Sequence, residues 1–326
     1  MSEMRASRAK VAIFISGAGT NMAALLHASR LPDAPYEVVL VASNDPAAEG
    51  LNLARIEGIP TFAHSHKGIS REEQDEAMEA AALDAGAQYI ALAGYMRILS
   101  DGFVKRWEGR MLNIHPSLLP KYKGLDTFAR AIRAGDSHAG ASVHLVTNEL
   151  DSGKVLAQLP VAIAPGDTPE GLGQRVRIAE HQLYPRALAD YVSRASDPAH
   201  LLARVRDLAL ALPETHEKES HGTPGFRVGS EKTGRFFAYF SGRDHGTGHI
   251  ALLVRTSGVD EMANLVETQP DAYYNPPYYG PSGWVGGILE RPGSDWDHVG
   301  EWLERSWRAV APARLTKLHD AADILR

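Results

Sequence analysis

At 326 residues the chain is long enough for two domains of roughly 150 residues, each with its own core, which excludes a single small module. Lys and Arg number 34 against 40 Asp and Glu, a net charge of −6, so the chain as a whole is not built to hold phosphate backbones or anionic lipid. With no cysteine, disulfides, thiolate nucleophiles and cysteine-held zinc are excluded, and any chemistry falls to His, Asp, Glu, Asn, Lys or Ser.

The opening MSEMRASRAK leads into a strand pattern rather than a signal peptide. No apolar run approaches the roughly 20 residues that span a bilayer, so a cytoplasmic protein without membrane partners is expected. Short β-branched runs then alternate with helical patterns. VAIFIS (11–16) precedes a helix over Asn21 to Ser29, and EVVLVAS (37–43) precedes one over Ala47 to Glu57. A third helix from Arg71 to Ala85 feeds the strand YIALAG (89–94), and MLNI (111–114) and ASVHLV (141–146) follow. Their near-continuous apolar character suits strands covered on both faces, which predicts a Rossmann-like, doubly wound, mostly parallel α/β sheet. A long helix over Thr168 to Ser193, with Leu172, Val176, Ala179 and Leu183 at helical spacing, closes this part.

The character changes at ASDPAH, where Asp197 and Pro198 offer a helix N-cap and first-turn proline; the expected domains are 1–196 and 197–326. Four of the five tryptophans (284, 296, 302 and 307) lie beyond this point. The second part reads as a helix (Ala199 to Leu212), a Gly-punctuated loop, strands near FRVG, RFFAYFS and IALLVRTS, a helix at Val259 to Glu267, a strand at GWVGGILE and a closing helix at Asp295 to Val310. That order predicts a smaller α+β domain with an antiparallel sheet.

Three places carry chemistry. SGAGTN (16–21) lies between the first strand and its helix, where glycines let the backbone approach a ligand and the helix start offers N–H groups to an anion. It is neither a Walker loop nor a full G-x-G-x-x-G, since Met22 holds the sixth position, and alone it also reads as a ligand-free βα turn. In NIHPSLLPKYKG (113–124), Asn113 and His115 alternate by two and share one face of an extended chain, and Pro116 holds His115 extended. An amide can stabilise charge on a carbonyl oxygen and an imidazole can pass a proton near neutral pH. Asp151, in TNELDSGKV, can orient such an imidazole. Taken singly, Asn-x-His-Pro also reads as a structural turn and Asp151-Ser152-Gly153 as a β-turn. His64 and His66 have a metal-compatible spacing, but no second cluster completes a site, and no metal is expected. His144, inside an apolar strand, reads as an inner-face or pocket-lining residue, and His27, His138, His200 and His319 as surface residues.

Six blocks in order, SGAGTN, AGYMRILS (93–100), NIHPSLLPKYKG, SVHLV (142–146), ELDSG (149–153) and AEHQLYP (179–185), resemble the phosphoribosylglycinamide formyltransferases over about residues 10–191. The resemblance implies transfer of a formyl group from 10-formyltetrahydrofolate, as co-substrate, to the amine of glycinamide ribonucleotide in purine synthesis, without a metal. It implies Asn113, His115 and Asp151 as the catalytic set. Gly19, Thr20 and Asn21 would hold the ribonucleotide phosphate, and Glu180 its ribose hydroxyls. Tyr95, Met96, Arg97, Ile98 and Leu99, with Val146, Thr147, Asn148 and Glu149, would form the folate pocket. Asp126, Phe128 and Ala139 depart from the family, where His is frequent at the matching positions, which bears on rate and pH dependence rather than on reaction class. Methionyl-tRNA formyltransferases and formyltetrahydrofolate deformylases share the H-P-S-L-L-P core. The first normally lack this phosphate turn and the second usually carry a preceding regulatory domain, whereas here the N-terminus begins at the nucleotide strand. The deformylase is the alternative reading.

THEKESHGTPGFRVG (215–229), YYNPPYYGPSGWVGGIL (273–289) and DWDHVGEWLERSW resemble the MmcQ/YjbR family, small α+β domains with a frataxin-like fold, over about residues 199–313. Members have been described as DNA binders, and Tyr273, Tyr274, Tyr278, Tyr279 and Trp284 could stack bases. From Ala199 onward, however, three Lys and eleven Arg face eight Asp and nine Glu with no basic run. Nucleic acid is therefore not the expected partner; a structural, oligomerising or small-ligand role is, with Trp284 and Trp302 in the core and a homodimer as the assembly.

Overall fold

A computed structural model describes residues 8–65, 67–230, 233–243, 248–291 and 294–323. The chain divides into two compact units, Met1–Ser193 and Arg194–Arg326. The turn at 195–197, between two helices, is where we propose the domain limit.

The first unit is a seven-stranded sheet wrapped by helices. In chain order it runs β1 (Ala9–Ile15), α1 (Thr20–Ser29), β2 (Tyr36–Ser43), α2 (Glu49–Ile56), β3 (Thr61–Ala63), α3 (Arg71–Asp84), β4 (Tyr89–Leu92), α4 (Asp101–Arg106), β5 (Met111–His115), α5 (Thr127–Arg133), β6 (His138–Leu145), β7 (Val155–Ala162) and α6 (Pro169–Arg194). The strand order is β3-β2-β1-β4-β5-β6-β7; pairs from β3 through β5 are parallel, while β6 pairs antiparallel with both neighbours. The mostly parallel α/β expectation holds. Alternation along β1 shows why: Val11, Ile13 and Ile15 enter one core, Ala12 and Phe14 the other, and all five are fully buried. Each of the larger side chains contributes about 1.5–3 kcal/mol. On α6, Tyr184 is fully buried, and its hydroxyl donates to the carbonyls of Leu92 at 3.1 Å and Leu112 at 2.9 Å, which locks the helix across β4 and β5.

The sequence pattern omits β3, α4, α5 and β7. The helices are one or two turns long, β3 has three residues, and β7 is an edge strand with a proline, Pro160, and little continuous burial.

The second unit contains α7 (Pro198–Leu210), β8 (Thr215–Ser220), β9 (Thr223–Val228), β10 (Arg235–Ser241), β11 (Ala251–Arg255), α8 (Val259–Thr268), β12 (Tyr273–Tyr274), a 3-10 turn (Gly280–Ser282), β13 (Trp284–Ile288), α9 (Trp296–Arg308) and α10 (Ala313–Asp323). Its strands pair antiparallel in the order β12-β13-β11-β10-β9-β8, an α+β arrangement. Asp197 caps α7 by accepting from the Ala199 amide at 3.0 Å, with Pro198 in the first turn. Leu252 and Val254 of β11 enter the main core with Trp302 and Trp307, whereas Leu253 turns to the other face with Tyr239 and Trp284. One expectation is corrected: THEKES is not loop but β8, a charged edge strand paired residue for residue with β9. Polar side chains hide such a strand, since only one side of it is paired.

Candidate functional site

The strand order of the first unit reverses between β1 and β4, and ligands of open α/β sheets bind beyond the carboxyl ends of the strands at such a point. The glycine turn follows β1, Tyr95 to Leu99 follow β4, and Asn113 and His115 end β5. All three meet at one sheet edge.

Asn113 and His144 face each other across the β5–β6 ladder. Asn113 Nδ2 lies 3.2 Å from His144 Nε2, whose other ring nitrogen, Nδ1, lies 2.8 Å from the carbonyl of Leu145. His115, 6 % exposed, has Nδ1 3.3 Å from Asp151 Oδ2 and Nε2 3.0 Å from the carbonyl of Tyr122. Both ring nitrogens thus face oxygen acceptors, and a doubly protonated ring donates to both. Asp151 stands between the two histidines, with Oδ1 3.6 Å from His144 Nε2 and Oδ2 accepting from the Gly124 amide at 2.9 Å. Burial pushes the Asp151 carboxyl up, but the His144 and Gly124 hydrogen bonds and the charges of His115 and His144 outweigh it and hold the group below the usual carboxylate range. Asn113, His115 and Asp151 therefore converge. His144, read from sequence as an inner-face or pocket-lining residue, is the link between Asn113 and Asp151.

Packing fixes this geometry. Ser142, opposite His115, donates to the Ser117 carbonyl at 2.6 Å and accepts from the Leu119 amide at 3.0 Å, and Gln158 bridges Ser142 and the Leu119 carbonyl at 2.8 Å each. The Tyr122 hydroxyl donates to Asp136 at 2.8 Å, and Arg130 donates to the Lys123 carbonyl at 2.7 Å.

At the glycine turn, Gly19 takes a left-handed φ of 73° and heads α1; a Cβ there would sit 3.0 Å from Gly50 Cα, so the turn packs directly on α2. Asn21 Nδ2 donates to Glu180 Oε2 at 2.8 Å, which leaves Asn21 Oδ1 buried without a protein partner. Such an orphan acceptor needs a donor, so this side chain suits a hydroxyl, and an anion would be met by main-chain N–H groups. Burial raises the Glu180 pKa above the ordinary glutamate value, opposed by Asn21 and then Arg177. Ser16 joins this turn to the next segment: its hydroxyl donates to Asn44 Oδ1 at 2.5 Å and accepts from the Met96 amide at 2.8 Å.

Tyr95 and Leu99 are buried in one cluster against which Val146 packs, while Met96 and Ile98 are exposed. The segment is pinned to α3, whose buried Asp75 accepts from the Ser100 amide at 2.6 Å. Arg97 is half-buried, and Thr147, Asn148 and Glu149 are exposed beyond Val146.

Among the departures from the family, Phe128 packs against the first unit's main core and Ala139 is buried within it. Asp126 heads α5 in the left-handed region at φ 56°. His64 lies beside Gln74, with Nδ1 3.2 Å from Oε1; His66 lies outside the described residues. His27 and His138 are exposed, but His200 and His319 are half-buried and not the surface residues expected. His319 packs edge-on against Trp307 at 5.4 Å. Among the described residues no three His, Asp or Glu are grouped to hold a metal, and no helix is long and apolar enough to cross a membrane.

Comparison with known proteins gives two family matches: the formyl transferase model over residues 9–188 and the YjbR model over residues 210–309. The phosphoribosylglycinamide formyltransferase of Haemophilus influenzae is 42% identical over 177 residues, 54% of this chain and 84% of that protein. The chicken trifunctional purine biosynthetic protein adenosine-3 is 44% identical over 187 residues, 57% of this chain but only 19% of that protein, and the chain spans between 13% and 19% of the trifunctional relatives it matches. A crystal structure of phosphoribosylglycinamide formyltransferase from Brucella melitensis, 48% identical, superposes with a TM-score of 0.55 and covers 57% of this chain and 96% of that one.

Proposed function

We propose, for a chain that belongs through residues 9–188 to the formyl transferase family, that its first unit moves the formyl group of 10-formyltetrahydrofolate to the amine of glycinamide ribonucleotide in the cytoplasm. The observation that carries this reading is the placement of Asp151 between His115 and His144, with Asn113 against the same ring nitrogen of His144, Nε2, that Asp151 faces. The Asn113 amide and the His115 imidazolium stabilise the negative charge that grows on the formyl oxygen as the amine attacks. Asp151 keeps the imidazole ring oriented and its positive charge compensated. The proton lost by the amine passes to the folate nitrogen as the C–N bond to it breaks. Tyr95 to Leu99 and Val146 to Glu149 present main-chain groups and apolar side chains to the pteridine. The α1 start receives the phosphate, and Asn21 with Glu180 receives the ribose hydroxyls.

Purified protein should consume 10-formyltetrahydrofolate only when glycinamide ribonucleotide is present; consumption in water alone would instead favour a deformylase. Asn21→Ala is expected to raise the ribonucleotide KM about tenfold, through the loss of one or two hydrogen bonds to hydroxyls, and to leave the folate KM within twofold. Equal changes in both would remove the assigned role. Glu180→Gln separates binding from stability. A carboxyl whose folded pKa is raised contributes stability below its unfolded value, near 4.3, and loses it as pH rises through the folded value. At neutral pH the amide therefore relieves that cost: the melting midpoint should stay level or rise while the ribonucleotide KM increases. A lowered midpoint with unchanged KM would contradict this.

A further inference from the structure

The second unit carries a cleft of about 770 Å³ on the sheet face that holds Tyr239 and Trp284. Its walls are aromatic. Tyr239 stacks on Phe236 at 5.0 Å, and Tyr279 lies 5.3 Å from Tyr239 and 5.6 Å from Trp284. Tyr278 on the rim is 96 % exposed and held in the left-handed region at φ 68°, which a bulky side chain rarely adopts. The charge in the cleft is positive. Arg255 lies over the Trp284 ring at 4.5 Å with its Nε buried and unpartnered, and Arg235 lines the same cleft. Arg227, 5 % exposed, sits behind Phe236 at 5.3 Å from the ring, with Nη2 donating to the Gly234 carbonyl at 2.6 Å and its Nε also buried and unpartnered. Elsewhere in this unit Arg206, Arg243, Arg305, Arg308 and Arg314 are each paired with a carboxylate. Among the described residues, none of the three at the cleft is, and no carboxylate lines it. Burial also pushes the Arg255 pKa down, a cost that an incoming anion relieves.

We propose that this cleft binds a small planar anion of the nucleoside monophosphate class, its base against Tyr278, Tyr279 and Trp284 and its phosphate on Arg235 and Arg255. Guanidinium forks match phosphate oxygens, and aromatic faces accept any base. The cleft volume is in the range of small-molecule sites. The unit is otherwise net acidic, with no basic run to follow a polyanion, which favours a short anion over a nucleic acid strand.

The test is calorimetric titration of the full-length protein with AMP and GMP, with adenosine, inorganic phosphate and a single-stranded oligonucleotide as comparisons. A mononucleotide should bind saturably, at least tenfold tighter than adenosine or phosphate alone. Arg255→Gln and Arg235→Gln should each weaken it tenfold or more, and the fully exposed Tyr278→Ala several-fold. Formyl transfer and the circular dichroism spectrum should be unchanged in all three. Asn21→Ala must leave this binding intact, which separates the cleft from the glycine turn of the first unit. The proposal fails if no mononucleotide saturates at millimolar concentration. It also fails if adenosine matches AMP, if Asn21→Ala rather than the arginine variants abolishes binding, or if the oligonucleotide binds more tightly than its nucleotides together account for.

Discussion

Asp151→Asn is expected to lower kcat for formyl transfer by about 10³-fold or more, on the scale at which loss of the carboxylate behind a catalytic imidazole acts, while the protein remains folded. The carboxylate lies 3.3 Å from His115 and 3.6 Å from His144, and its second lone-pair direction is taken by the Gly124 amide. An amide in its place offers one acceptor and one donor, so one of three facing groups loses its partner and the imidazolium loses its counter-charge. His115→Ala should act on the same scale, and the double variant should be little worse than either single one, because the groups work as a unit. Near-normal turnover in either single variant, with an unchanged melting curve, would refute the assigned roles. The sign of the pH effect on stability also follows. The folded Asp151 pKa is depressed, so its contribution is present above the unfolded value, near 3.9, and lost as pH falls through the folded value. The Asn variant should therefore show a shallower loss of stability in acid.

Gly153→Ala is expected to cost about 2–4 kcal/mol and to lower the melting midpoint by roughly 5–15 °C, together with most of the activity. A Cβ on Gly153 would lie 1.8 Å from the carbonyl oxygen of Leu145, a backbone atom of β6 that cannot swing away. Relief requires lifting residues 152–154 off the strand, against the hydrogen bond from the Leu145 amide to the Lys154 carbonyl at 3.0 Å. Asp151, two residues earlier, would move with them. Gly17→Ala is the control: nothing lies within 4 Å of its added carbon, and the stability should stay within about 0.5 kcal/mol of wild type. An undisturbed midpoint for Gly153→Ala would mean that the loop is not held against β6.

Much of this was legible in the chain. The strands β1, β2, β4, β5 and β6 announce themselves as apolar runs because both their faces are covered, and Asn113 and His115 share a face by period two alone. What stayed hidden depends on pairing across distance. His144 looks like any apolar-strand histidine until the antiparallel register sets it opposite Asn113, and no local spacing encodes that register. The β8 strand, THEKES, carries no hydrophobic signal, since its stabilisation comes from main-chain pairing with β9. The three arginines at the cleft of the second unit come from β9, β10 and β11; an overall charge count averages them away among acidic neighbours.

The Ser16 hydroxyl accepts from the Met96 amide and donates to Asn44. One oxygen thus ties the segment proposed for the nucleotide to the segment proposed for the folate. Whichever partner arrives first stiffens a strut that the second also leans on. The two occupancies should accordingly reinforce each other, and removal of this oxygen should uncouple them before it slows the chemistry.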